Sequence, residues 1–315
     1  GEHPEPSRDR RNSVMDLSVT VGGVSLTSPL VAASGTVGSV VDFADVIDFG
    51  VYGAAVAKSV APEPWDGRPP PRIAPVDSAM LNGIGIQNPG IEAWVRTHGD
   101  QIGSLGTPVW GSVVAHDAAG FGTVATRMSA TPVTAIEVNL SCPNLQGLPF
   151  ALDASASAAV VRIVRAATDL PIGAKLSMDA EPIQSVAEAV FEAGADWVVV
   201  GNTVMGAAID PETRRPRLSG GIGGYSGGPI RPLAIRAVMN IARDLPDIPI
   251  VGCGGVSTAA HVIEYVLAGA SAVGIGSAHF ADPHIAQRIT KQLHRYAEAH
   301  SVASITELRG AYEPW

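Results

Sequence analysis

From about residue 15 onward, short apolar runs alternate with helix-length segments along the chain. The runs predict strands at Leu30–Ala33, Gly53–Ala57, Pro108–Val113, Ala135–Val138, Ile172–Lys175, Trp197–Val200, Ile250–Gly252 and Ala272–Ile275. They read as continuous Val/Ile/Ala stretches and not as alternating ones, which is the pattern of strands buried on both faces. Eight such strands with helical segments between them predict parallel βα units. The stretches Ala189–Thr203 and Tyr265–His279 echo each other: a helix end, Ala-Gly-Ala, a strand, then Gly with a small polar residue. The glycine of each Ala-Gly-Ala is placed to take the left-handed conformation that ends a helix. A doubly wound sheet would give the same local pattern. The strand count and the length of 315 residues favour closure, so the expected architecture is α/β, a (β/α)8 TIM barrel.

Three segments exceed simple connections and are rich in Gly and Pro: Ser59–Ile91, Leu140–Asp153 and Val204–Pro232. Each follows a predicted strand, so each is expected as a long βα loop over the C-terminal face, where barrel active sites are built. Residues 1–14 are polar, charged and Pro-containing. They carry too little apolar surface to offset ordering entropy, and are read as a disordered leader or expression remnant. Residues 15–315 are read as one barrel domain.

Composition narrows the function classes. The chain is 46% hydrophobic, enough for one large core, and carries a formal net charge of −9. A nucleic-acid surface would need a basic stripe, so none is expected. No stretch approaches the ~18 unbroken apolar residues of a membrane span, and the N-terminus is polar and not signal-like. A cytoplasmic protein is expected. Cys142 and Cys253 are the two cysteines, too few for a disulfide framework or for a four-thiolate iron–sulfur cluster. No metal site is expected.

Candidate chemistry lies at the predicted strand ends. Val251–Val256 (VGCGGV) and Gly274–Ala278 (GIGSA) follow strands seven and eight, where barrels often bind phosphate through backbone N–H groups and a short helix N-terminus. The plainer reading is a pair of tight turns; their joint position favours phosphate. Cys142 lies on a loop between Asn139 and Asn144, just before Pro143. A thiol with an ordinary pKa near ~8.5 can serve as base or nucleophile, though a lone cysteine is more commonly a small buried hydrophobe. That plainer role is assigned to Cys253. Lys58 and Lys175 end strands two and five; a lysine there either faces the barrel mouth as a cation or snorkels to solvent. Asn82, Asn88, Asn139, Asn144 and Asn202 recur beside glycines or prolines. Asparagine favours turns for its own backbone chemistry, and its carboxamide also offers a donor and an acceptor side by side to a lactam edge.

Met80–Gly90 (MLNGIGIQNPG), Glu137–Asn144 (EVNLSCPN), Gly201–Asp210 (GNTVMGAAID), Gly223–Pro232 (GGYSGGPIRP) and the two glycine turns resemble the dihydroorotate dehydrogenase family, in order, from about Leu17 to Pro283. Cysteine in the NLSCPN segment resembles the soluble class 1, and GIQNPG with NTVMGAAID–TRRP looks most like type B. The resemblance implies an FMN-binding barrel, usually a homodimer, paired in type B with a second subunit carrying FAD and an iron–sulfur cluster that passes electrons to NAD⁺. It implies oxidation of dihydroorotate to orotate in pyrimidine biosynthesis, with Cys142 as the base at C5 while hydride leaves C6 for flavin N5. Lys58 is implied at the flavin and substrate edge, together with Ser59. Asn82, Ile84, Gly85 and Ile86 match the segment lining the substrate, and Asn139, Asn144, Asn202 and Thr203 the residues holding the pyrimidine ring and its carboxylate. Ala33, Ser34 and Gly35 match a flavin-contacting segment, and Asn139 and Lys175 match residues at the flavin ring. Gly227, Gly254, Gly255, Gly276 and Ser277 match the ribityl-phosphate cradle.

The chain departs from the family pattern in two places. Strand three reads VWGSVV, with Trp110 and with Ser112 where asparagine is expected, and the loop after Cys142 reads LQGLPFALD. Trp110 either crowds the flavin or fills the barrel. These departures keep open a related dihydropyrimidine-like substrate in a specialised pathway. A non-catalytic barrel binding a phosphate ligand is the reading from a different class. The electron acceptor is open among NAD⁺ through a partner, fumarate and oxygen.

Overall fold

The structure, a computed structural model, describes residues 15–140, 150–180 and 182–315. Eight parallel strands close into a barrel: β1 (Leu30–Ala32), β2 (Ala54–Val56), β3 (Val109–Val113), β4 (Ala135–Asn139), β5 (Ile172–Lys175), β6 (Trp197–Val200), β7 (Ile250–Cys253) and β8 (Ala272–Ile275). Each pairs with its sequence neighbours, and β8 closes on β1 through Val273–Leu30, Gly274–Val31 and Ile275–Ala32. All eight predicted strands are present, within a residue or two at their ends.

Among the described residues, seven helices lie outside: α1 (Ile91–Ile102), α2 (Ala118–Ser129), α3 (Ala154–Ala167), α4 (Ile183–Glu192), α5 (Arg231–Asp244), α6 (Ala259–Leu267) and α7 (Ile285–His300). Local chemistry sets several of their ends. The side chains of Asp117, Asp153 and Thr258 accept from backbone N–H groups of the first turns of α2, α3 and α6, satisfying donors that the helix itself leaves unpaired. After α4 and α6 the chain turns left-handed at Gly194 (φ +109°) and Gly269 (φ +117°). Ala195 N and Ala270 N then donate to the carbonyls of Val190 and Tyr265, the helix-ending turn predicted from the two Ala-Gly-Ala stretches.

Strand parity divides lumen from shell. On β3, Gly111 faces out against Met128 of α2, which puts Trp110 and Ser112 inside. Parallel partners share a face, so the pairs Ser112–Glu137, Glu137–Gly173 and Asn139–Lys175 place Glu137, Asn139 and Lys175 inside as well. Trp110 and Trp197 meet in the lower lumen with ring centroids 4.9 Å apart, and both are fully buried. An N-terminal hairpin, Val19–Val21 with Val24–Leu26, lies beneath them; a Cβ on Gly22 would stand 2.7 Å from the Trp197 ring. Trp110 therefore fills the barrel floor, the second of its two expected roles.

Two of the long segments carry regular structure of their own. Ile73–Val76, Ala79–Asn82, Ile222–Gly227 and Val204–Ala207 form a four-stranded antiparallel sheet built from the first and third long segments. Its strands are short and contain Gly and Pro, so they pair only because the barrel brings the loops after β2 and β6 together. Among the described residues, no helix is long and apolar enough to cross a membrane.

His279 is buried behind β8, with Nε2 2.7 Å from the Tyr52 hydroxyl and Nδ1 2.9 Å from Thr36 Oγ1. Burial pushes its pKa from the ordinary 6.5 down to about 4. The folded state thus holds it neutral while the unfolded chain takes up a proton, so its contribution to stability is complete above pH 6.5 and is lost as pH falls toward 4. Between pH 7 and pH 5 this group is expected to remove on the order of 2 kcal/mol. Urea unfolding of the wild type and His279→Gln at both pH values checks this: the wild type should lose more than the variant by about that amount, and equal losses would refute it.

Candidate active site

The C-terminal ends of β2, β3, β4 and β6 bring their polar residues to one mouth. Ser59, just past β2, has its hydroxyl oxygen 2.8 Å from that of Ser112 on β3. Asn139, ending β4, donates from Nδ2 to Ser59 Oγ at 3.0 Å. Asn202, just past β6, donates from Nδ2 to Asn139 Oδ1 at 3.4 Å, and its own Oδ1 accepts from Thr203 N–H at 2.8 Å. Asn82 reaches the same region from the covering sheet, donating to the Gly224 carbonyl at 3.3 Å. A Cβ on Gly224 would collide with Thr203 Oγ1 at 2.1 Å, so Asn82 and Thr203 meet across a glycine.

The two strand-end lysines separate in depth. Lys175 is buried in the lumen (6% exposed), its Nζ 3.9 Å from Glu137 Oε1. Lys58 stands higher, half-buried, with Nζ 4.0 Å from the position a Cβ on Gly35 would take. Burial pushes the Lys58 pKa down, and the nearby Lys175 ammonium lowers it further. Burial pushes the Glu137 carboxyl up, against the opposing pull of Lys175 and a hydrogen bond from Ser112. Cys253 is buried and free, packed on Gly274, its thiol pushed up by burial. It keeps the structural role expected of it.

The glycine turns gather beside this mouth. Gly227 (φ +110°), Gly254 (φ +140°) and Gly255 (φ +68°) hold conformations that favour glycine. The loops touch directly: a Cβ on Gly255 would lie 2.9 Å from Gly227 O and 3.0 Å from Gly228 O. Gly228 and Gly276 by contrast face open space, where a Cβ would meet nothing within 4 Å. Ser277 opens a short 3-10 turn, Ser277–Phe280, immediately after Gly276. Backbone N–H groups at glycine turns with room before them are the chemistry of a phosphate cradle. Ser34 completes the rim, donating to the Ala57 carbonyl at 2.9 Å between the ends of β1 and β2; Ala33 N bonds the Ile275 carbonyl across the β8–β1 seam.

Two groups of sequence-identified residues are not among these contacts. Cys142 and Asn144 lie outside the described residues. Ile84 and Gly85 pack against Arg68, whose N–H donates to the Ile84 carbonyl, and Ile86 follows at φ +51°. Asn88 serves its own turn: its Oδ1 accepts from Ala61 N and Gly90 N, and its Nδ2 donates to the Ile86 carbonyl. Sequence reasoning gave no role to Glu137 and treated Ser112 only as a departure. Both sit two residues before or after an inward-facing strand position, so strand parity was the signal available for them.

A family model described as dihydroorotate dehydrogenase matches residues 16–296. The chain is 39% identical over 301 residues to a protein of Citrifermentans bemidjiense named dihydroorotate dehydrogenase B (NAD(+)), catalytic subunit, covering 95% of this chain and 98% of that one. It is 38% identical over 301 residues, with the same coverage, to the protein of that name from Geobacter sulfurreducens. A crystal structure of DHODH from Eimeria tenella in complex with ferulenol superposes with a TM-score of 0.80 over 98% of this chain and 92% of that one; at 18% identity it shows a shared fold.

Gly255 offers a direct check of the cradle's construction. Gly255→Ala forces a side chain into the left-handed region, costing about 1–2 kcal/mol, and drives its Cβ against two backbone carbonyls. Urea unfolding is expected to show a loss of at least that size; a variant as stable as the wild type would mean that the β7 turn does not have this conformation.

Proposed function

The chain belongs to the dihydroorotate dehydrogenase family, and from that premise we propose that it oxidises dihydroorotate to orotate in pyrimidine biosynthesis as an FMN-dependent enzyme, with residues 15–315 as one FMN-binding barrel domain. The observation that carries this reading is the convergence of Lys58, Asn139, Asn202 and the glycine turns of β7 and β8 on one barrel mouth.

The residues fit FMN at both ends. Gly227, Gly254, Gly255, Gly276 and Ser277 would hold the phosphate, where open space faces Gly276 and the loops on either side permit close approach. Ala33, Ser34, Gly35, Lys58, Ser59, Asn139 and Lys175 would line the ring. When bound, FMN supplies the two-electron acceptor for the hydride that leaves C6 of the substrate.

The remaining chemistry belongs to side chains. Asn139, Asn144, Asn202 and Thr203, with Asn82 and the Ile84–Ile86 segment above, would read the amides and carboxylate of the pyrimidine and hold it in one orientation. Cys142 would take the C5 proton; the adjacent carbonyl delocalises the developing charge, and the carboxamides donate to that oxygen. Lys58, its charge already disfavoured by burial and by Lys175, would stand at the substrate edge. The named relatives are catalytic subunits. By extension this chain would work as a homodimer with a second subunit carrying FAD and an iron–sulfur cluster for NAD⁺, in the cytoplasm. Its two cysteines are too few for a four-thiolate cluster of its own.

Anaerobic mixing of the purified protein with dihydroorotate is expected to bleach the oxidised flavin band rapidly. Cys142→Ala should retain FMN and slow that bleaching by about 10²–10⁴-fold, the usual worth of general-base catalysis. A yellow protein that dihydroorotate does not reduce would overturn the substrate. Near wild-type bleaching by Cys142→Ala would overturn the base.

A further inference from the structure

The lumen holds a charge cluster to which the function proposed above gives only partial work. Lys175 lies there with Glu137, which is 2% exposed, while Lys58 stands close enough above for the two ammonium groups to repel. Beneath them the space is closed by Trp110 and Trp197. Strand parity makes Glu137 the one acid among the inward-facing residues of the eight strands. A buried charge needs an opposite charge beside it, and Glu137 Oε1 stands 3.9 Å from Lys175 Nζ.

The hydrogen bonds above Glu137 also have a direction. A carboxylate can only accept, so Ser112, which hydrogen-bonds Glu137, donates to it. Ser112 must then accept from Ser59, 2.8 Å away, and Ser59 accepts from Asn139 Nδ2 at 3.0 Å. This leaves Asn139 Oδ1 turned toward Asn202 Nδ2 and Asn202 Oδ1 toward Thr203 N–H. The chain is held at both ends, by an acceptor-only carboxylate below and by the donor-only Thr203 N–H above. A neutral amide at 137 leaves the direction set at Thr203 but removes the charged acceptor that anchors the lower end.

We propose that Glu137 is a positioning residue for the oxidoreductase site, acting through Lys175 on the flavin and through Ser112, Ser59 and Asn139 on the pyrimidine. The inference rests on the FMN and orotate site of the preceding subsection. It adds a residue that touches neither ligand, sets the charge beneath the flavin and anchors the lower end of the hydrogen-bonded chain beneath the substrate.

The test compares wild-type holoenzyme with Glu137→Gln, Glu137→Asp and Ser112→Ala, by two readouts that need no turnover. One is the midpoint potential of the bound flavin without substrate; the other is the orotate dissociation constant from the flavin spectral shift. Glu137→Gln removes the negative charge at nearly constant volume. It is expected to favour reduced flavin by about tenfold, ~30 mV for a two-electron couple, and to weaken orotate by about five- to tenfold, the worth of one hydrogen bond. Glu137→Asp keeps the charge and should stay near the wild-type potential. Ser112→Ala keeps the ion pair and cuts the chain, so it should weaken orotate alone. Wild-type potential and wild-type orotate affinity in Glu137→Gln would overturn the inference and leave Glu137 as a space-filler. Should that variant fail to hold flavin, Ser112→Ala with unchanged orotate affinity overturns the directional chain. A wild-type protein that takes up no FMN, or binds no orotate, overturns the functional reading instead.

Discussion

Closure of the barrel at the β8–β1 seam is the constraint on which everything else depends. An open parallel sheet would leave two edges of unpaired N–H and C=O groups; here Val273, Gly274 and Ile275 pair with Leu30, Val31 and Ala32 and remove both. Closure also fixes an interior of limited volume, and parity then dictates which side chains fill it. Alternate residues of every strand must go inside whether they are apolar or not. Trp110 and Ser112 enter together because Gly111 faces out, and Glu137 and Asn139 enter together for the same reason.

The lumen is consequently graded along its axis. Its floor is aromatic and dry, sealed by two tryptophans and the N-terminal hairpin. Its middle holds the Lys175–Glu137 pair, and its upper rim holds hydroxyls and carboxamides in one connected chain. The rim groups find hydrogen-bond partners, as buried polar groups generally do, whereas Glu137 Oε1 and the Trp110 and Trp197 indole nitrogens have none among the described residues. The gradient keeps the ionic pair above the aromatic floor, toward the C-terminal ends of the strands.

Glycine does the complementary work outside the lumen. Where the turn after β7 approaches the Gly227–Gly228 loop, backbone lies against backbone at distances no side chain would permit. The same closeness lets the loops after β2 and β6 pair as a sheet over the mouth, carrying Asn82 to the carboxamides below. The flavin and pyrimidine chemistry proposed for this chain thus draws on residues from nearly every βα connection, held by one ring of strands.

What the sequence determined by itself was local. Continuous apolar runs located all eight strands, because burial on both faces leaves no room for polar alternation. The Ala-Gly-Ala stretches announced helix ends at Gly194 and Gly269, because left-handed φ at that position is cheap for glycine alone. The glycine turns and strand-end lysines pointed to one mouth, since strand ends in a barrel all emerge on one face. Tertiary structure decided the rest. Whether Trp110 crowded the mouth or filled the floor depended on its depth along β3, and whether Asn88 met a ligand or braced its own turn depended on which backbone groups stood beside it. The covering sheet pairs residues more than a hundred positions apart, and no local pattern encodes that pairing. Glu137 lay inside a recognised motif, yet its place as counter-charge to Lys175 and anchor of the Ser112–Ser59–Asn139 chain exists only because closure sets β2, β3, β4 and β5 side by side.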